Sequence, residues 1–170
     1  MNNVVIKNIV RFLLLVAFQV LLLNKMNFFG FIIPFVYVLF IILLPLRTNK
    51  LLLLFLAFLI GFTIDFFGST PGLHSSATLL LAFLRPGVLN LFFGNIEFVK
   101  DEEPNISKLG FFGFFRYALL LILIHHFALF MLETISFSKI LMVLKTTLFS
   151  SIATMFLIYI YIFLFTKRGR

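Results

Sequence analysis

Hydrophobic positions along this chain fall in long runs separated by short polar stretches. Two of the runs, Met26–Leu46 and Thr146–Thr166, are each 21 residues without a charge. A helix rising about 1.5 Å per residue needs ~20 such residues to cross a ~30 Å hydrocarbon core. The pattern predicts six crossings, over Val4–Leu23, Met26–Leu46, Leu51–Phe67, Leu73–Phe93, Phe111–Leu132 and Ile140–Thr166. The first requires Lys7 and Arg11, four apart on one face, to reach the nearby headgroups. The fourth is interrupted by Arg85-Pro86. Proline cannot donate the helical bond, so a kinked helix through to Phe93 is expected there. The alternative ends the helix at Leu84 and lays 87–98 along the inner surface, but residues 73–84 alone reach only ~18 Å.

Charge then orients the spans. With six crossings, ten Lys and Arg gather on the side of the two termini and three on the other, Arg85 lying inside a segment. That bias places both termini in the cytoplasm. The polar stretch between Gly94 and Gly110 becomes a cytoplasmic loop in which Asp101-Glu102-Glu103 is expected to be solvated. Five crossings would split the termini and spoil the agreement.

Composition narrows the class. Hydrophobic residues make up 62% of the 170 and charged residues 12%, a balance that water does not tolerate in one folded domain. The expectation is a single all-α membrane domain over residues 1–170. The formal charge of +8 does not imply nucleic acid, because the basic residues sit at the ends of apolar runs. The basic start resembles a signal peptide but lacks a small-residue cleavage site, so an uncleaved first span is expected. With no Cys, disulfides, thiolate metal sites and cysteine nucleophiles are excluded. The 27 Phe suit lipid-facing surfaces and carry no chemistry.

Few residues in the apolar runs offer chemistry. Asp65 lies near the outer end of the third span, with Gly61 one turn earlier on the same face, which suggests close helix packing beside a polar contact. Intramembrane acids mark functional sites or satisfy local backbone. Here Asp65 either caps the junction at Gly68–Gly72 or couples to a proton or ion, for which a second acid is missing. The turn Gly68-Ser69-Thr70-Pro71-Gly72 leads to Leu73 and His74. His74 is expected to bond Asp65 across the hairpin, rather than to bind metal. Arg85 is expected to snorkel or to bond carbonyls freed by Pro86, with anion or lipid-phosphate binding as the alternative. The adjacent pair His125-His126 points in directions about 100° apart, a poor arrangement for one ion. No catalytic, cofactor or metal constellation is visible.

The residues Gly61…Asp65…Gly72-Leu73-His74-Ser75 and Phe83-Leu84-Arg85-Pro86 resemble the rod shape-determining protein MreD family, especially its Bacteroidetes-type members. Asn8-Ile9-Val10-Arg11-Phe12…Gln19-Val20 and Pro45-Leu46-Arg47-Thr48 agree, and the order of six short spans covers the whole chain. The resemblance implies a six-helix fold like that of the substrate-binding S components of energy-coupling-factor transporters. It also implies a non-enzymatic role at the bacterial cytoplasmic (inner) membrane, in the complex that directs lateral peptidoglycan synthesis and cell shape. The implied partners are MreC, with the MreB filament, the RodA glycosyltransferase and a class B penicillin-binding protein, in a setting of membrane lipid. No catalytic residue or cofactor is implied, and only Gly61, Asp65, Gly72, Leu73 and Arg85 are carried over as motif positions. The rival reading is a membrane component that binds a vitamin or other small molecule for transport. Its pocket would draw on Asn24, Asn27, Asp65, His74, His126 and Glu133.

Overall fold

Helix starts and stops in this chain are set by a handful of side chains. Asn49 accepts the amide of Leu51 at 2.8 Å and opens a helix that runs until Ser69 turns left-handed at φ 54°. Gly72, at φ +82°, then redirects the chain into the next helix. The computed structural model describes residues 2–94 and 102–165. Among these the helices are α1 (Asn2–Leu21), α2 (Leu39–Ile42), α3 (Lys50–Gly68), α4 (Leu73–Phe93), α5 (Ile106–Leu109), α6 (Phe111–Thr134) and α7 (Ile140–Phe165). Single 3₁₀ turns occupy Leu23–Lys25, Val36–Val38 and Phe137–Lys139.

Five of the helices, α1, α3, α4, α6 and α7, are long and apolar enough to cross a membrane. This is an all-α, multi-pass membrane protein. The helices α3, α4, α6 and α7 pack in chain order, each against the next, and α1 packs on α3. Helix α4 continues through Pro86 to Phe93.

The second apolar run departs from its expected form. Met26–Leu46 is not one membrane-crossing helix. Phe28 and Ile32 exchange backbone bonds around a tight turn in which Phe29 and Gly30 have positive φ. Pro34 follows, and only Val36–Ile42 winds into a 3₁₀ turn and one turn of α-helix before Pro45 ends it. Every residue from Phe35 to Leu44 is buried. The run is apolar on all sides because protein surrounds it, a pattern that lipid would impose equally on an exposed helix.

This broken segment runs antiparallel to α1. Gln19, towards the end of α1, lies at Pro34 and Val36, whereas Arg11, towards its start, lies at Leu43. Helices α1, α3 and α7 all contact it. Glu102, ahead of α5, meets the far end of the segment, where the Leu46 amide donates to the Glu102 carbonyl at 2.8 Å.

Candidate functional site

A non-helical backbone at membrane depth needs hydrogen-bond partners from the protein, because lipid supplies none. The broken segment finds them on four helices. At its entry the amides of Ile33 and Phe35 donate to Ser150 Oγ and Thr154 Oγ1, both at 3.0 Å. Ser150 and Thr154 are one turn apart on α7, so a single face reaches both. The Val36 amide donates to Gln19 Oε1 at 2.9 Å, while Gln19 Nε2 donates to the Pro34 carbonyl at 3.2 Å and to Asn24 Oδ1 at 3.0 Å.

At the other end four successive carbonyls are capped by side chains. Tyr117 donates to Ile42 at 3.0 Å, Arg11 to Leu43 at 3.3 Å, and Arg85 to Leu44 and, at 3.5 Å, to Pro45. Arg85 Nε also donates to the Tyr117 hydroxyl at 2.9 Å. The carbonyls at a helix C-terminus carry partial negative charge that attracts cations, and guanidinium offers several donors in a fixed plane. Arg85 is 1% exposed, and none of the ion pairs among the described residues includes it. The expectation for Arg85 therefore needs correcting. It neither snorkels nor serves carbonyls freed by Pro86; it caps a different segment.

Arg11 is corrected similarly. It is buried, and its Nη2 pairs with Glu103 at 2.8 Å, a carboxylate shared with the exposed Lys7 at 2.7 Å. Glu103 is 15% exposed and Glu102 pairs with Lys108 at 3.2 Å, so these two acids are not freely solvated. Asp101 lies outside the described residues.

The α3–α4 hairpin is a clasp with one part reassigned. Asp65 Oδ1 accepts Thr70 Oγ1 and the His74 amide, both at 2.9 Å. Its Oδ2 accepts the Ser75 amide at 2.9 Å and Ser75 Oγ at 2.6 Å. The carboxylate of α3 thus satisfies first-turn amides of α4 that have no helical acceptor. The carboxylate binds the backbone of residues 74 and 75 and reaches the Gly68–Gly72 turn only through the Thr70 hydroxyl, while the Asp65 carbonyl accepts the Thr70 amide at 3.1 Å; the carboxylate does not touch the His74 imidazole. Gly61 permits this approach, since a Cβ there would sit 2.6 Å from Ser75 Cα. Leu73 is partly buried against the core at the start of α4.

The His74 ring points inward, to Tyr37. The Tyr37 hydroxyl lies 2.8 Å from both His74 Nδ1 and His125 Nε2. One hydroxyl proton serves one ring, so the other ring must donate to the oxygen. His126 Nδ1 lies 2.9 Å from the Ile122 carbonyl and therefore carries a hydrogen, leaving Nε2 facing Thr154 Oγ1 at 3.1 Å. All three histidines of the chain thus surround Phe35 and Tyr37 in the core. Among the described residues no group of three or more His, Asp or Glu is placed to hold a metal ion. The arrangement orders the core: Thr154 Oγ1 accepts the Phe35 amide and has its own hydrogen free for His126 Nε2.

Gln19, Tyr37, Tyr117, Ser150 and Thr154 had no assigned role in the sequence reading. One signal pointed to the last two. Thr146, Thr147, Ser150, Ser151 and Thr154 form a polar stripe at helical spacing in an otherwise apolar run. All five are buried. No family model, curated protein or solved structure matches this chain.

Proposed function

We propose that this chain is a non-enzymatic scaffold of the bacterial cell-elongation machinery, as its resemblance to the MreD family implies. It would hold an MreC-like partner and synthase subunits through its helix faces. The observation that carries this reading is the division of labour between inside and outside. Asp65, Arg85, Gln19 and Thr154 are engaged with backbone groups, while the exposed helix faces are apolar. On α3, Phe55, Phe58, Phe62 and Phe66 recur every three or four residues and are all exposed. Large apolar side chains repeated at helical spacing on one face suit another transmembrane helix.

In this reading the broken segment is a sixth crossing, both termini are cytoplasmic, and the bundle is built like a transporter S component. The antiparallel course of the segment along α1 supports the six-crossing arrangement.

A small-molecule transport component is the second reading. It is favoured by one cavity of about 330 Å³ at the α6–α7 end, lined by Asn27, Glu133, Lys139 and Thr146. Affinity purification from the native host separates the two. Recovery of cell-shape proteins with the tagged chain supports the scaffold; recovery of an ATPase module instead would replace it with transport.

A further inference from the structure

The broken segment has a consequence on the outer surface of the bundle. Between α1 and α3, over the broken segment, lies a cleft of about 520 Å³. Ile9 and Leu13 from α1 face Leu52 and Leu56 from α3, with Phe40 and Leu44 as the floor. The body of the cleft is apolar. Its mouth is not: Asn8, Arg47, Thr48 and Asn49 line that end. Arg47 and the neighbouring Lys50 are exposed, and neither enters an ion pair among the described residues. The described acids that precede α5 are committed, Glu103 to Lys7 and Arg11 and Glu102 to Lys108.

We propose that this cleft binds one anionic phospholipid, with an acyl chain between α1 and α3 and the phosphate at Arg47 and Lys50. The polarity matches that of the lipid along its length, an apolar body ending in negative charge. Basic residues at the membrane surface attract anionic headgroups. A partner's helix would match the apolar body equally, but it would need a carboxylate at the level of Arg47 to match the mouth.

The test uses the full chain in nanodiscs of equal phosphatidylglycerol and phosphatidylcholine, released and weighed by native mass spectrometry. Each basic residue near the surface contributes about fivefold, so with two of them retained phosphatidylglycerol should exceed phosphatidylcholine by about 25-fold. Arg47→Gln with Lys50→Gln should bring the two lipids close to parity at unchanged protein yield. Leu56→Trp, which fills the cleft, should lower retention of both lipids. Equal retention by the unaltered chain would overturn the proposal. So would a preference that survives the double substitution, or a second copy of the chain occupying the cleft in place of lipid.

Discussion

Arg85 donates to the hydroxyl of Tyr117 at 2.9 Å, and the Tyr117 hydroxyl donates in turn to the carbonyl of Ile42 at 3.0 Å. The pair links α4 and α6 to the end of the broken segment. It also accounts for a permanent charge buried in an apolar helix. Removing one member leaves the other facing unsatisfied carbonyls at a cost of about 1–3 kcal/mol. Tyr117→Phe and Arg85→Gln should each lower the thermal midpoint in detergent. A double-mutant cycle should give a coupling of roughly 0.5–3 kcal/mol between them. Additive losses would mean that the two act separately.

Glycines on α3 and α4 should respond with opposite signs. Gly61→Ala places a Cβ 2.6 Å from Ser75 Cα, where backbone must move, and overpacking of this kind costs about 1–3 kcal/mol. Gly87 is helical with nothing within 4 Å of the added Cβ. Gly87→Ala should therefore stabilise by about 0.5–1 kcal/mol through backbone entropy alone. Thermal midpoints of the two variants, measured side by side, check both signs.

Asp65 presents two oxygens to four donors, so an amide replaces only half of it. Asp65→Asn keeps one acceptor and sets its own N–H₂ against the remaining donors. Asp65→Leu removes both oxygens and strands the His74 and Ser75 amides. The expected order of protein abundance and partner co-purification is Asp, then Asn, then Leu, with Asn losing about 1–3 kcal/mol of stability. An Asn variant that is stable and partner-bound yet wholly inactive would instead point to proton or ion coupling.

The long helices were legible because their apolar runs are long enough to cross a bilayer and because glycines bound two of them: the Gly72 turn before α4 and Gly110 before α6. The spacing of Gly61 and Asp65 likewise announced close packing beside a polar contact. The form of the second run was not legible. Burial in protein and exposure to lipid select the same residues, so Phe35–Leu44 reads alike in both settings. Gly30, Pro34 and Pro45 lie in that run, but the partners that make a break tolerable lie far away in sequence. Ser150 and Thr154 stand 117 and 119 residues from the amides they accept. The partners of Arg85 and His74 were hidden for the same reason, since Leu44 and Tyr37 lie on that segment.

Topology can be read chemically because the chain has no Cys of its own. In intact cells, impermeant thiol reagents should label Asn27→Cys, Thr70→Cys and Ser136→Cys. They should spare Lys50→Cys and Glu102→Cys. Labelling of Glu102→Cys from outside would exclude the six-crossing arrangement, because Glu102 is bonded to the Leu46 end of the broken segment.

The claim on which the rest depends is that α7 supplies acceptors to a broken backbone inside the membrane. Two threonines of that helix provide a matched comparison. Thr154 Oγ1 accepts the Phe35 amide at 3.0 Å, whereas Thr147 Oγ1 is buried with no hydrogen-bond partner among the described residues. Threonine to valine keeps the shape at both sites. Thr154→Val should destabilise the protein by about 1–3 kcal/mol, since the Phe35 amide and His126 Nε2 both lose their partner in a dry core. Thr147→Val should be neutral or stabilising, because it removes a hydroxyl that burial penalises. The difference between their thermal midpoints in one detergent is the decisive quantity. A clear loss for Thr154→Val alone supports the account; equal midpoints would contradict it and restore an ordinary helix over residues 26–46.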